Sequence, residues 1–181
     1  MAMTTKTSSK PRYRVNLDKD VVKRRARPTT TPDGEYKTTQ RVYGMETSML
    51  IADRDPGYHT NPHRHDCEQL NYVVSGEIWF FVEDKAYRCR KGDIMRIPRD
   101  KVHWAWVRGN ENCSVIETHS PPLPGNGAEN RAAAASLLAD DETLSEDRVA
   151  ANARVPMDKE EVKRIEARAI AEEEAERAAE R

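Results

Sequence analysis

The side chains best suited to chemistry are histidines, and three of the five in the chain follow a pattern that could gather a metal ion. His63 and His65 are one residue apart, so in an extended strand both imidazoles project to the same face. His103 begins a later apolar run after the turn-forming residues 98–101, and a closed sheet would bring it to the other two. Neutral imidazoles with an amide oxygen suit divalent Mn, Fe, Co, Ni, Cu or Zn. The residues therefore indicate a site for one divalent transition metal.

The fourth ligand of such a site is not settled by spacing. Gln69 shares the odd parity of His63 and His65, but parity cannot be carried safely across the turn-like residues 66–68. The neighbouring Glu68 is the alternative. Four protein ligands would leave one or two positions of an octahedral metal open to water or substrate, as catalysis requires.

The elements around these residues read as short strands. Runs rich in Val, Ile, Tyr, Trp and Phe are separated by Gly, Pro or Asn/Asp pairs, and they cover residues 45–52, 69–75, 77–83, 86–90, 93–98, 103–108 and 112–119. Short strands at this rhythm are typical of a sandwich or barrel. The sequence thus predicts an all-β domain.

The segments on either side of the predicted strands differ from them in amino-acid composition. Residues 1–40 are polar and broken by prolines, which indicates an extended N-terminal arm, and residues 41–122 hold the predicted barrel. Residues 123–181 are predicted to form a helical C-terminal extension. Its helices are expected to begin at Asn126, at the Ser145 cap and at the Asp158 cap. The last of these helices is expected to be solvated.

Composition narrows the class of protein. A chain of 181 residues suits one domain, and its 34% of charged residues balance to a net charge of -1. A balanced charge argues against a nucleic-acid binder, and no apolar run reaches bilayer length, so we expect a cytoplasmic protein with no membrane contact. The three cysteines lack paired spacing and are expected to be free thiols.

At this point the residues resemble the cupin superfamily. Its first motif is matched by Gly57, His63, His65 and Gly76, with Gln69 where Glu is usual. Its second motif is matched by Gly92, Pro98 and His103, with Asp100 in place of a glycine and Val107 in place of an asparagine. The resemblance covers residues 45–122. It implies a double-stranded antiparallel β-barrel, or jelly roll, with a metal held by His63, His65, Gln69 and His103.

The resemblance also bears on function. A neutral amide at Gln69 leaves the site more positive by one charge, so the metal should be a stronger Lewis acid and harder to oxidise. Sets of His/His/Gln/His are similar to those of cupins that linearise unsaturated uronates and of cupin hydroxynitrile lyases. The leading hypothesis is a metal-dependent enzyme acting on a small oxygenated organic substrate, by lyase or isomerase chemistry or by dioxygenation. The alternative is a non-catalytic cupin that binds or senses a small molecule.

Further residues are candidates for this chemistry. His59 is a candidate general base, and Asn71 is either a polar substrate contact or a bond to a neighbouring strand. Arg96 could bind a substrate carboxylate if its strand faces the cavity. The aromatic content of the strands predicts a homodimer, because one small barrel cannot bury all of it.

Overall fold

The computed structural model of the chain describes residues 13–26, 36–125 and 132–179. Within them the α-helices are α1 Leu17–Asp20 and α2 Lys159–Ala179, and a 3₁₀-helix covers Glu146–Arg148. The strands, in chain order, are β1 Arg24–Ala26, β2 Lys37–Tyr43, β3 Ser48–Arg54, β4 His63–His65, β5 Glu68–Ser75, β6 Glu77–Val82, β7 Lys85–Arg90, β8 Ile94–Ile97, β9 His103–Trp106, β10 Cys113–Ser120, β11 Ala135–Ser136 and β12 Asn152–Arg154. The predicted all-β class is confirmed.

The strands form two sheets whose neighbours are antiparallel, apart from the short β11, which pairs in parallel with β2. One sheet has seven strands, in the order β1-β2-β3-β10-β5-β8 with β11 beside β2, and the other has five, in the order β12-β4-β9-β6-β7. From β4 to β10 the chain crosses repeatedly between the sheets, which is the jelly-roll arrangement expected from the sequence.

The crossing from β5 to β6 takes a single residue, Gly76. Its φ is 75°, and a Cβ built there would lie 2.3 Å from the carbonyl oxygen of Asn112. Only glycine fits this close approach without a shift of the backbone.

The space between the sheets is apolar at one end and polar at the other. Val73, Ile78, Phe80 and Val115 belong to the apolar cluster, which both sheets supply. Along β10 the buried positions alternate, and they change from apolar Cys113 and Val115 to polar Glu117 and His119. The polar end is therefore where the sheets can build a site.

The outer face of the five-stranded sheet is covered by α2. Trp79, Phe81 and Trp104 pack there against Val162 and Ile170 of the helix. The expectation of a solvated last helix was wrong, because its narrow apolar stripe is matched to aromatic side chains of the same chain.

Strands outside residues 41–122 join both sheets. β1 pairs with β2, β11 also pairs with β2, and β12 pairs with β4. Of the helix expected from Asn126, residues 126–131 lie outside the described part, Ala132 is helical, and β11 follows within three residues. Pairing with β2 overrides the helix propensity of the alanines there. The helix expected at the Ser145 cap is only a single 3₁₀ turn.

Across residues 13–26, 36–125 and 132–179, no helix has both the length and the apolar character that a bilayer crossing demands.

Candidate metal centre and charged cavity

Three histidines meet at the polar end of the space between the sheets. β4 carries His63 and His65, and its antiparallel pairing with β9 sets His63 directly opposite His103. The ring centroid of His103 lies 4.3 Å from that of His63 and 4.6 Å from that of His65. Each histidine offers a nitrogen, and the three nitrogens lie within 4.8 Å of one another. The sequence prediction that these residues converge is confirmed.

Backbone carbonyls orient the rings of His63 and His103. Nδ1 of His63 lies 2.9 Å from the oxygen of Asn61, and Nδ1 of His103 lies 2.9 Å from the oxygen of Lys101. A carbonyl can only accept, so each Nδ1 carries the proton and each Nε2 keeps its lone pair. His103 Nε2 is buried and has no hydrogen-bond partner among the described residues. An unpaired buried lone pair facing two other imidazoles fits a divalent metal ion.

Burial keeps the imidazoles of His63 and His103 neutral, which metal binding requires. It lowers the pKa of His63 to about 4, against the hydrogen bond that His63 donates to the carbonyl of Asn61, which raises it. Burial, and then the neighbouring His63, holds the pKa of His103 well below its ordinary value. At neutral pH both rings are therefore ready to act as ligands.

The turn before β9 places His103. Asp100 has a φ of 63°, in the left-handed region that glycine usually occupies and that aspartate tolerates. Its backbone N–H donates to the carbonyl of His65 at 2.9 Å. The cupin glycine is thus replaced here without loss of the backbone shape, and the turn is tied to β4.

Gln69 joins the cluster from the opposite sheet. Its Oε1 lies 2.8 Å from Nε2 of His65, and its Nε2 donates to Oδ1 of Asn71 at 2.6 Å. Asn71 in turn donates to the carbonyl of Met95 at 3.3 Å. This chain of donors turns the amide oxygen of Gln69 toward the histidines, as a fourth ligand requires. Asn71 acts as a structural partner of Gln69, one of the two roles considered for it.

Glu68 and Arg96 lie outside the cluster. Arg96 Nη2 is 2.6 Å from Glu68 Oε2, and the Arg96 side chain is 60% exposed. The glutamate alternative to Gln69 therefore points outward, and the strand that carries Arg96 does not turn it into the cavity.

His59 also lies away from the other histidines. Its Nε2 is 2.7 Å from Oε1 of Glu166 on α2, and its ring contacts the edge of Trp106 at a centroid distance of 5.5 Å. Trp104 Nε1 donates to the same Glu166 oxygen at 2.8 Å. The structure thus gives His59 a place in the docking of the helix, and does not bring it to the candidate metal ligands.

The three cysteines are free, as expected from their spacing. Burial raises the pKa of Cys67 and of Cys89 to about 12, and that of Cys113 to about 11. Cys67 Sγ lies 3.2 Å from Nδ1 of His65, on the side of the ring away from the cluster. It therefore remains a thiol that contacts a candidate ligand and is not itself one.

The seven-stranded sheet adds a second, charged group of side chains to the same cavity. Arg54 on β3 and Glu117 on β10 form an ion pair through Nη2 and Oε1, with the residues 2% and 7% exposed. His119 Nε2 lies 3.8 Å from Oε2 of Glu117, and the His119 ring is 5.5 Å from that of His65. A row of polar side chains thus runs from Arg54 to the histidine cluster.

One small residue, Ala52, makes room for this row. Three pairs of opposite residues follow one another on one face of β3 and β10: Arg54 with Cys113, Ala52 with Val115, and Leu50 with Glu117. The pair that contains Ala52 therefore lies between Arg54 and Glu117. Because Ala52 ends at Cβ, the long Arg54 side chain can extend past it to the carboxylate.

The electrostatics of the row follow from its burial. Burial raises the pKa of Glu117, but Arg54 and then His119 outweigh it, so that the pKa falls to about 2. Burial likewise lowers the pKa of Arg54, and Glu117 outweighs it, so that the guanidinium is more firmly protonated than usual. Burial lowers the pKa of His119 to about 4, against the opposing effect of Glu117. The row therefore contains one cation, one anion and one neutral imidazole.

Residues 51–119, which carry all of these groups, match the family described as the cupin domain. This segment is a cupin domain. Its fold is shared with a predicted oxalate decarboxylase from Thermotoga maritima, at 15% identity over 59% of this chain and 96% of that one, with a TM-score of 0.52. It is also shared with the polyketide cyclase RemF from Streptomyces resistomycificus, at 17% identity over 59% and 78% of the two chains, with a TM-score of 0.50. At these identities the likeness shows the fold alone.

A third similar structure is a protein proposed to be a sugar phosphate isomerase, from Acidithiobacillus ferrooxidans. The match has 23% identity and a TM-score of 0.39, and covers 41% of this chain and 50% of that one. The chain thus spans half the length of that relative. A comparison with curated protein sequences gives no significant match.

The cupin domain encloses a cavity of about 140 Å³, lined both by the histidine cluster and by the charged row. This is below the range of several hundred Å³ that is typical of sites for drug-sized ligands, so the cavity suits a molecule of few heavy atoms. Arg24 of β1 and Asn152 of β12 also line it. Segments on both sides of the cupin domain therefore help to form the walls.

The charged row was missed in the sequence, although one signal for it was present. On β10 the buried positions are Cys113, Val115, Glu117 and His119. Glu117 and His119 lie an even number of residues after the apolar Cys113 and Val115, so all four side chains project to the same face of the strand. This pattern indicates polar groups on the inner face of the barrel. No comparable spacing connects Arg54 to Glu117, which lie 63 residues apart and meet only through strand pairing.

Proposed function

We propose that this protein is a metal-dependent cupin enzyme that acts on a small oxygenated organic substrate. The observation that carries the proposal is the convergence of three buried histidines, of which His103 holds an unpaired Nε2 toward the other two rings. Residues that serve only to pack a core do not leave buried polar atoms without partners. Neutral, carbonyl-oriented imidazoles in a small cavity are what a catalytic metal site needs.

His63, His65 and His103 would hold the metal, with the Gln69 amide oxygen as the fourth ligand. When bound, a divalent ion there would act as a Lewis acid on a substrate carbonyl or hydroxyl. Because no ligand is a carboxylate, the site would keep the full charge of the ion, which favours lyase or isomerase chemistry over dioxygenation. Dioxygenation remains the second reaction to test.

The side chains nearest the cluster would handle protons. His119 is neutral, and its buried Nδ1 has no hydrogen-bond partner among the described residues. Its other nitrogen faces the carboxylate of Glu117. A neutral imidazole near a carboxylate can accept a proton and retain it beside the anion, as general base catalysis requires. We therefore propose His119 in place of His59 as the proton acceptor.

The test combines metal analysis with turnover. Full-length protein loaded in turn with Mn, Fe, Ni or Zn is assayed against diketones, uronates and hydroxy acids, with dissolved O₂ recorded throughout. We expect one bound metal per chain and turnover of at least one compound without consumption of O₂. Turnover that consumes O₂ would establish dioxygenation instead.

Two variants make the test specific. His103→Ala should lose both metal and turnover, whereas Arg96→Gln, which changes an exposed side chain outside the cavity, should retain both. Stable binding of a compound that is never converted, with any of the four metals, would favour the non-catalytic binding or sensing function and overturn the enzymatic one.

We also propose that the protein is a homodimer formed through the outer face of the seven-stranded sheet. Met49, Leu70 and Tyr72 are each 42% exposed on that face, and Ile94 is 69% exposed. The register sets Tyr72 directly beside Ile94. The corresponding face of the five-stranded sheet is covered by α2 of the same chain, which leaves this apolar face for a second copy.

Light scattering at micromolar concentration tests the dimer. The full chain should have twice the mass of one copy, and Ile94→Lys should reduce it to a monomer that keeps its fold. Tyr87→Lys, on β7 of the other sheet at a position as exposed as Tyr72, is the control and should stay dimeric. A wild-type monomer would contradict the proposal.

A further inference from the structure

Arg54 is only partly satisfied by its ion pair. The residue is 2% exposed, Nη2 binds Glu117, and the guanidinium carbon lies 5.2 Å from the centre of the Tyr58 ring. Nε and Nη1 are buried and have no hydrogen-bond partner of normal geometry in the described part of the chain. Leaving charged N–H groups buried and unpaired is costly, so such groups indicate a place for an absent partner. Arg54 lines the same cavity as the histidine cluster. A molecule in that cavity could supply the missing acceptors.

The charge of the cavity wall indicates what kind of acceptor. Among the residues that line it, four are cationic, namely Arg24, Lys37, Arg41 and Arg54, and one, Glu117, is a carboxylate. These five side chains give the wall an excess of three positive charges. A divalent metal at the histidine cluster would add two more. The cavity therefore favours an anion strongly over a neutral molecule.

The positive charges are concentrated on one side. Lys37 of β2 lies directly opposite Arg54 of β3, and Arg41 lies opposite Leu50 on the same pair of strands. The histidine cluster lies mainly on β4 and β9 of the other sheet. A small molecule that spans the cavity would thus have one end on the cations and the other at the metal ligands.

From this arrangement we infer that the substrate is a small carboxylate whose carboxylate group binds Arg54 and Lys37 while its other oxygen reaches the metal site. The inference rests on the proposed function for the role of the metal. A carboxylate offers one acceptor oxygen to an unpaired nitrogen of Arg54 and the other to the ammonium of Lys37, and a small carboxylate fits a cavity of about 140 Å³. Glu117, already paired with Arg54, keeps that guanidinium in place before the substrate arrives.

The test measures binding in the metal-free and the Mn-loaded full-length protein by calorimetry, with glycolate as the probe. The matched neutral probe is glycolamide, which replaces one carboxylate oxygen by an amide nitrogen. We expect glycolate to bind the metal-free protein about tenfold to a hundredfold more tightly than glycolamide, the range expected for hydrogen bonds to a charged group. Equal affinities would overturn the inference.

Substitutions in the cavity wall test which side chains bind the carboxylate. Arg54→Met alone leaves Glu117 buried without its partner, so the informative variant is the double substitution Arg54→Met/Glu117→Gln, which should fold and lose most of the preference for glycolate. Lys37→Met, at a half-buried position, should lower the affinity for glycolate without affecting the fold. Arg96→Met is the exposed control and should change nothing. A double variant that keeps the wild-type preference would overturn the assignment to Arg54.

Two further measurements separate this inference from the proposed function. Tighter binding of inorganic phosphate than of glycolate would overturn the assignment to a carboxylate. Absence of bound metal, with the preference for glycolate intact in metal-free protein, would overturn the proposed enzyme and support the anion site. Normal metal binding together with equal affinities for glycolate and glycolamide would overturn the anion site and support the metal site of the proposed enzyme.

Discussion

The two sheets of the cupin domain contribute chemically different halves to one cavity. The five-stranded sheet supplies His63, His65 and His103, whose rings are oriented by carbonyls next to them in sequence. The seven-stranded sheet supplies the ion pair of Arg54 and Glu117, whose partners come from strands far apart in the chain. In the first half, local spacing places His63 beside His65 and strand pairing adds His103, whereas the second half depends on strand pairing alone. The difference explains why only the first could be recognised from the sequence.

The two halves also differ in how they depend on a partner. His63 and His103 are neutral, so they are stable in the cavity without a metal and can bind it through lone pairs. The charged pair must stay complete, because each member compensates the burial of the other. Changes in the first half should therefore affect metal binding and leave the fold intact, whereas changes in the second half should affect the fold.

The largest expected effect is the loss of metal from the histidine half. His63→Ala removes a ligand, and we expect the affinity for Mn or Zn to fall on the order of 100-fold or more, above the loss seen when only a supporting partner is removed. Equilibrium dialysis with elemental analysis measures it. His59→Ala is the matched control, because its ring contacts Glu166 and not the cluster. Equal metal retention in both variants would remove His63 from the site.

Breaking the charged half should cost stability. Arg54→Met leaves the carboxylate of Glu117 buried without its cation, and we expect the free energy of unfolding to fall by about 3–5 kcal/mol. Urea denaturation followed by circular dichroism measures the change. The paired variant Arg54→Met/Glu117→Gln should recover most of the loss, because no uncompensated charge remains. A single variant as stable as the wild type would show that the pair is not needed for the fold.

A smaller effect is expected where the two halves meet. Asn71 holds the Gln69 amide so that its oxygen faces His65. Asn71→Ala should let the amide turn, and we expect about tenfold weaker metal binding, as for other supporting partners of metal ligands. Equilibrium dialysis with the same metal measures the affinity of the variant. An unchanged affinity would mean that Gln69 either holds its orientation unaided or is not a ligand.

A pH dependence is also expected from the charged half. The pKa of Glu117 is lowered from 4.5 to about 2 in the folded protein. Its ionised form therefore contributes stability that is fully present above pH 4.5 and is lost as the pH falls toward 2. Urea denaturation of the wild type should show this loss. The variant Arg54→Met/Glu117→Gln should show a shallower decline over the same interval, and identical slopes would contradict the assignment.

Sequence patterns were sufficient wherever the controlling interaction is local. Alternation of apolar residues predicted the strands, and the His-x-His spacing with the later His103 predicted the cluster that the structure confirms. Local patterns failed for the last helix, because its polar composition suggested solvent while its few apolar residues dock on Trp79 and Trp104. They also failed for His59, whose parity matched the ligands although an irregular segment separates it from β4.

The sequence by itself determined the all-β class and the three histidines of the candidate metal site, because these depend on residue type and on short sequence patterns. Only the tertiary structure decided that Gln69 faces the histidines while Glu68 faces outward, and that Arg54, Glu117 and His119 share their cavity. Those outcomes depend on which strands pair and in what register. A shift of one residue would turn every side chain of a strand to the opposite face, and no local pattern encodes that choice.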